Sequence, residues 1–151
     1  MSNLETLHFE IEIACSPMKV HEHMLAKETY KEWTHIFSPG STFIGSWEEG
    51  SKIIFVGEGE NEGMHGRVEK NDPGKFVSIE HLGEWKDGKE VAPNEAALNW
   101  VGAHENYTFE ETDKGTLLKV DLDSPEDFSQ HFAGIWPKAL DKLKEICERN
   151  G

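Results

Sequence analysis

Basic side chains are scarce in this sequence: 15 lysines and arginines stand against 29 aspartates and glutamates, a formal charge of −14 over 151 residues. So acidic a surface repels phosphate backbones and anionic bilayers, which excludes nucleic acid and membrane insertion from the expected partners. Cysteine is scarcer still. Cys15 and Cys147 lie at opposite ends of the chain, with no CxxC and no cluster to coordinate zinc or staple a secreted fold. Both are expected reduced and buried. Long hydrophobic runs are missing too: no stretch reaches the ~18 apolar residues of a membrane span, and Met1 to Glu12 lack a basic start followed by an apolar run. A soluble, cytoplasmic protein is expected. Its length suits one domain over residues 1–151, burying about two thirds of its unfolded surface in one core.

The motifs of common chemistries are also absent. There is no Gly-x-Ser-x-Gly elbow, no dinucleotide fingerprint and no phosphate loop, and Gly57-Glu58-Gly59-Glu60-Asn61-Glu62-Gly63 is acidic where a phosphate loop must not repel its ligand. It reads as a hairpin loop. His21 and His23, two apart on an expected helix, point in different directions and cannot share a metal. His8, His65 and His104 fall opposite the apolar faces of expected strands, without a carboxylate at ligand spacing. No metal and no cofactor is expected.

What is present is periodicity. Leu7, Phe9, Ile11 and Ile13 alternate with His8, Glu10 and Glu12, as in a strand with one face on a core. Ser16-Pro17 is a helix start, capped by serine with proline in the first turn, and predicts a helix over about Pro17 to Leu25. A second short helix follows through Tyr30 and Trp33. From Ser41 to Leu122, short alternating runs separated by Gly, Asn, Asp and Pro predict six strands: Thr42 to Trp47, Lys52 to Gly57, His65 to Lys70, Phe76 to Leu82, Trp100 to Glu111 and Thr116 to Leu122. Glu49-Gly50-Ser51, Asn71-Asp72-Pro73-Gly74 and Asp113-Lys114-Gly115 supply the turns. Glu84 to Asn99 reads as a long loop flanking the pocket mouth.

Ser124-Pro125-Glu126-Asp127 is expected to cap a final helix. Phe128, Phe132, Ile135, Trp136, Ala139, Leu140, Leu143, Ile146 and Cys147 then recur at three- and four-residue steps, marking a broad apolar face. Pro137 cannot donate to the Ala133 carbonyl and should kink the helix or split it near Gly134.

Seven strands and a long amphipathic helix, with two short helices after the first strand, exclude a doubly wound parallel sheet, in which strands and helices alternate throughout. The expected class is α+β: a seven-stranded curved antiparallel sheet around the C-terminal helix. Such a sheet diverges from its helix and leaves a space lined by apolar and aromatic side chains.

Ser16-Pro17 with Val20, Trp33, Phe37-Ser38-Pro39-Gly40 and Gly45-Ser46-Trp47-Glu48-Glu49-Gly50-Ser51 succeed one another in an order that resembles the family related to the C-terminal domain of the activator of the Hsp90 ATPase. The resemblance continues through Gly66-Arg67-Val68-Glu69, Asp72-Pro73, Gly115-Thr116 and Gly134-Ile135-Trp136-Pro137-Lys138-Ala139-Leu140, from Phe9 to Ile146. It implies the START-like superfamily, with START lipid-binding domains, Bet v 1-like proteins and polyketide cyclases, and hence the helix-grip fold with a deep hydrophobic cavity. It does not imply one activity.

Alternation places Val77, Ile79 and His81 on one strand face, and Val101, Ala103, Glu105, Tyr107 and Phe109 on another. His81, Glu105 and Tyr107 are then polar groups among apolar ones. The helical wall of the cavity is expected from Phe132, Trp136 and Leu140, with Phe43, Phe55, Met64, Val68 and Ile79 completing it. Trp33, Trp47, Trp85 and Trp100 read as core or pocket wall. Three readings are open: binding of a small hydrophobic ligand; a cyclase- or hydratase-like enzyme using His81 and Glu105; and an interaction module with a chaperone contact. Monomer and homodimer both fit. A histidine and carboxylate that merely satisfy one another are the plainer account of the polar pair.

Overall fold

The alternation of Leu7, Phe9 and Ile11 puts them on the core side of β1 (Leu4–Ile13), ending at the fully buried Ile13. The structure, a computed structural model, describes residues 4–37, 39–57, 59, 62–90 and 101–150. After β1 the Ser16 hydroxyl accepts a hydrogen bond from the Lys19 amide at 3.3 Å, and Pro17 opens α1 (Pro17–Leu25). Ala26, with extended backbone, ends α1 and begins α2 (Lys27–Thr34).

The meander comes next as β2 (Thr42–Gly45), β3 (Lys52–Val56), β4 (Glu62–Asp72), β5 (Phe76–Lys86), β6 (Lys89–Glu90), β7 (His104–Thr112) and β8 (Gly115–Pro125). Every described pairing is antiparallel, in the order β1-β8-β7-β5-β4-β3-β2, with β6 attached to β5. The first and last strands are therefore neighbours, with Phe9 opposite Val120 and Leu7 opposite Leu122. The curved sheet presents one apolar face to the long helix α3 (Ser129–Asn150). Along α3, Trp136, Ala139, Leu140, Leu143, Ile146 and Cys147 are buried, at the spacing a helix needs to keep one face inward.

The pairing of β4 with β5 has two irregularities, and one of them decides where His81 points. Gly66 lies opposite His81 while His65 lies opposite Gly83, so Leu82 is an extra residue; Glu69 is another. The bulge at Leu82 comes after His81. It leaves His81 on the same inner face as Val77 and Ile79, and turns the rest of β5 over.

Several local expectations are corrected. Ser124 and Pro125 do not cap a helix: they end β8, opposite Glu5 and Leu4, and one 3-10 turn (Glu126–Phe128) intervenes before α3. Pro137 does not split α3, which runs through it; one missing backbone bond is tolerated where the apolar face on both sides is packed. Glu62 and Gly63, read as loop, begin β4. Glu84 to Lys86 continue β5, and Asp87 and Gly88, both at positive φ, form the two-residue hairpin turn into β6. β7 begins at His104, and Val101 is 39 % exposed before it. Residues 91–99 of the expected loop, and Trp100, lie outside the described residues, as do Ser38, Glu58, Glu60 and Asn61.

Candidate functional site

A cavity of about 510 Å³ lies where the sheet diverges from α2 and the start of α3. Tyr30, Trp33, Thr34 and Phe37 face it from α2 and the turn beyond, at steps of three, one and three along the chain, and Ser41 joins them. Those steps put all four on one helical stripe. From the sheet come Phe55 of β3, Glu62, Gly63 and Met64 of β4, His81 of β5, Glu105 and Tyr107 of β7, and Leu122 of β8. Phe128, His131, Phe132 and Trp136 close it from the helical side. Gly63 is required by packing: a Cβ there would stand 1.7 Å from the Phe55 carbonyl oxygen.

The walls are mostly rings. Trp136 is surrounded by Phe37 at 5.0 Å between centroids, Phe9 at 6.0 Å, Trp33 at 6.2 Å and Tyr107 at 6.3 Å. Tyr30 meets Phe43 edge-on at 5.1 Å and Phe55 at 6.4 Å. The Trp33 indole N–H donates to the Met24 carbonyl at 3.0 Å, which ties α2 to α1 and fixes this wall. Tilted, edge-on and stacked pairs at these separations fit the ring quadrupoles and hold the shape of the space.

One side of the cavity is polar. The Tyr107 hydroxyl donates to the Glu105 carboxylate, and His81 Nε2 faces the other carboxylate oxygen at 3.4 Å. His81 Nδ1 is buried without a hydrogen-bond partner among the described residues. Burial pushes the Tyr107 hydroxyl well above the usual tyrosine range, and the negative charge of Glu105 adds to it. Burial, then Glu105, does the same to Tyr30, against a hydrogen bond with Ser41. Both tyrosines therefore act as neutral hydroxyls. A carboxylate beside a histidine and a phenol can orient a polar group of a ligand or exchange a proton with it.

Of the residues singled out from the sequence, Phe55, Met64, His81, Glu105, Tyr107, Phe132 and Trp136 line this cavity. Phe43, Val68, Ile79 and Leu140 do not. Val68 and Ile79 are fully buried, opposite one another deeper in the sheet. Phe43 sits behind Tyr30, and Leu140, one turn beyond Trp136, packs in the core. Alternation identifies the face of a strand but not how far along it the helix lifts away. Of the α2 wall, sequence reasoning named Trp33 alone, as core or pocket wall, although the spacing of Tyr30, Trp33, Thr34 and Phe37 carries the signal.

The outer histidines have carboxylate neighbours that spacing alone did not reveal. His8 Nδ1 meets Asp121 at 2.5 Å, His65 Nδ1 meets Glu90 at 3.2 Å and His104 Nε2 meets Glu69 at 2.7 Å. His8 and Asp121 are cross-strand partners, whereas the other two pairs reach across β5, from β4 to β6 and from β4 to β7. Among the described residues no group of three or more His, Cys, Asp and Glu is placed to hold a metal ion. Trp47 packs against Phe43 and Phe55, outside the cavity lining.

Solved structures share this fold. Protein MLL2253 from Mesorhizobium loti superposes with a TM-score of 0.72 at 17 % identity, covering 97 % of this chain and 99 % of that one. A Colwellia psychrerythraea structure, described as the Aha1 dimer, gives a TM-score of 0.69 at 23 % identity, over 95 % and 96 % of the two chains. An AHSA1-like protein from Aeromonas hydrophila gives 0.65 at 14 %, over 97 % and 94 %. No curated protein sequence matches. The family model for Activator of Hsp90 ATPase homolog 1-like protein matches residues 14–148, every strand but β1 together with both helical layers, and the chain belongs to that family.

Proposed function

We propose that this protein binds a small hydrophobic ligand in the cavity between the sheet and the C-terminal helix, as a cytoplasmic binding or carrier protein. One observation carries the reading: a space of about 510 Å³ walled by Tyr30, Trp33, Phe37, Phe55, Tyr107 and Trp136. That size is within the range of small-molecule sites, which are mostly apolar with a few placed polar groups. A ligand burying roughly 200 Å² of apolar surface would gain about 5 kcal/mol at 25 cal/mol per Å², before the cost of association. Native mass spectrometry of protein from its own host, with extraction of the bound molecule, tests it. A reproducible apolar ligand at stoichiometric amount is the expected result; protein that arrives empty and ignores a lipid panel overturns it.

The contact between His81 and Glu105 favours a second reading, in which the same cavity runs a cyclase- or hydratase-like reaction with these two as acid and base. It fails if His81→Ala and Glu105→Gln leave turnover of every accepted substrate unchanged. The family's name and the dimer described for the Colwellia protein favour a chaperone contact and a homodimer here. Light scattering of the purified chain decides the dimer.

A further inference from the structure

Among the described residues, the walls of the cavity contain carboxylates but no lysine or arginine. Glu105 lies within it and Glu62 at its β4 side, and His81 and His131 are the remaining ionisable side chains besides the two tyrosines. Among the described residues the partners of Glu105 are the Tyr107 hydroxyl and His81 Nε2. His81 Nδ1 is buried with no hydrogen-bond partner among the described residues. Neither partner of Glu105 is a lysine or an arginine. The carboxylate is hydrogen-bonded, but no permanent cation among the described lining residues stands beside it.

A charge in an apolar enclosure is costly unless paired. The rings around it sharpen the preference, since aromatic faces carry the negative part of a quadrupole and attract cations. Burial first, and next the negative charge of Glu105, raise the pKa of both Tyr30 and Tyr107, so neither phenol competes with Glu105 as an anion. The chain's charge of −14 adds a long-range attraction of the same sign. An acid such as a fatty acid meets repulsion on every count, and a wholly neutral hydrocarbon leaves Glu105 facing apolar groups.

We infer that the ligand is an organic monocation, an amine or quaternary ammonium group on an apolar body, with its charge beside Glu105 and its body against Tyr107, Phe55 and Trp136. This rests on the ligand-binding role proposed above and names the chemical class.

Three probes of similar shape test it: benzyltrimethylammonium, its uncharged carbon isostere neopentylbenzene, and 3-phenylpropionate as the anion. Each is titrated into the full chain, with calorimetry and the fluorescence of the tryptophans as readouts. The expected order is cation, then neutral isostere, then anion, with the cation at least about tenfold tighter than the isostere. In Glu105→Gln the cation and the isostere should converge. Amide shifts in the unsubstituted chain should move in β5, β7 and α3 rather than along the surface carboxylates, which keeps the test sound should the variant fold poorly. Equal or tighter binding of neopentylbenzene or the anion overturns the inference and leaves the apolar-ligand reading standing. A cation preference that survives Glu105→Gln, or maps to the surface, also overturns it. No binding of any probe removes both readings.

Discussion

The Tyr107 hydroxyl reaches the Glu105 carboxylate two residues back along the same face of β7, inside the cavity. Alternate residues of a strand share a face about 7 Å apart, so only a long side chain bridges them. Tyr107 is 2 % exposed. Tyr107→Phe should lower stability by about 1–3 kcal/mol, the cost of leaving a half-buried carboxylate short of a donor. Urea denaturation checks it, and an unchanged midpoint would mean that Glu105 finds another partner.

His65 gives the acid limb of stability. Burial lowers its pKa, against the opposing pull of Glu90, with Lys52 adding a smaller push downward. The folded state thus prefers the neutral ring. This contribution is full above the unfolded value of about 6.5 and is lost as pH falls through the depressed folded value. His65→Gln should flatten the decline in stability as pH falls below about 6.5. Denaturation midpoints of both proteins across that range give the comparison; parallel curves refute it.

The alkaline limb involves Cys147, whose thiol is pushed up to about 12, by burial first and then by the neighbouring Cys15 and Glu148. A neutral thiol favoured by the fold stabilises it fully below the unfolded pKa, and this is lost as pH rises through the folded one. Stability should therefore fall as pH climbs from about 9 toward 12. Cys147→Ala should make the fall shallower, whatever its own starting stability. The same burial predicts that Cys147 resists a thiol reagent at pH 8 until denaturant is added, and prompt labelling of the folded chain would contradict that.

Glycine positions separate strain from collision. Gly50 and Gly115 both have positive φ, at 88° and 142°. A Cβ at Gly50 meets nothing within 4 Å, whereas at Gly115 it would stand 2.3 Å from the Ile13 carbonyl oxygen. Gly50→Ala should cost about 1–2 kcal/mol from backbone strain alone. Gly115→Ala should cost clearly more, because the β8 start must also move off β1. Equal thermal midpoints for the two variants would show that the junction of β1 and β8 yields easily.

Periodicity made the sheet and helices legible, and with them the inner placement of Glu105, Tyr107 and His81. His81 was the fragile case, since a bulge one residue earlier would have turned it outward. It stays inside because the extra residue is Leu82. Ser124-Pro125 misled because residue type alone favours a cap, while pairing with Glu5 and Leu4 is a tertiary fact. Depth was the other gap. Ile79 and His81 share a face, yet Ile79 is sealed by packing and His81 borders open space, a difference set by where α3 lifts from the sheet.

Trp136 is where core and cavity meet, and its removal tests both. It is 4 % exposed, and Phe9, Trp33, Phe37 and Tyr107 all pack their rings around it. These rings come from β1, α2, the turn after α2, and β7, so the indole joins the sheet to both helical layers. Trp136→Ala should cost about 3–5 kcal/mol, from the lost transfer energy and from rings that cannot collapse into the gap. The space it leaves adjoins the existing cavity, so small apolar molecules such as benzene should partly restore stability by filling it. Thermal midpoints of Trp136→Ala with and without benzene are the measurement. A loss below about 1 kcal/mol would mean that this wall is soft and that the cavity adapts its shape to what enters it.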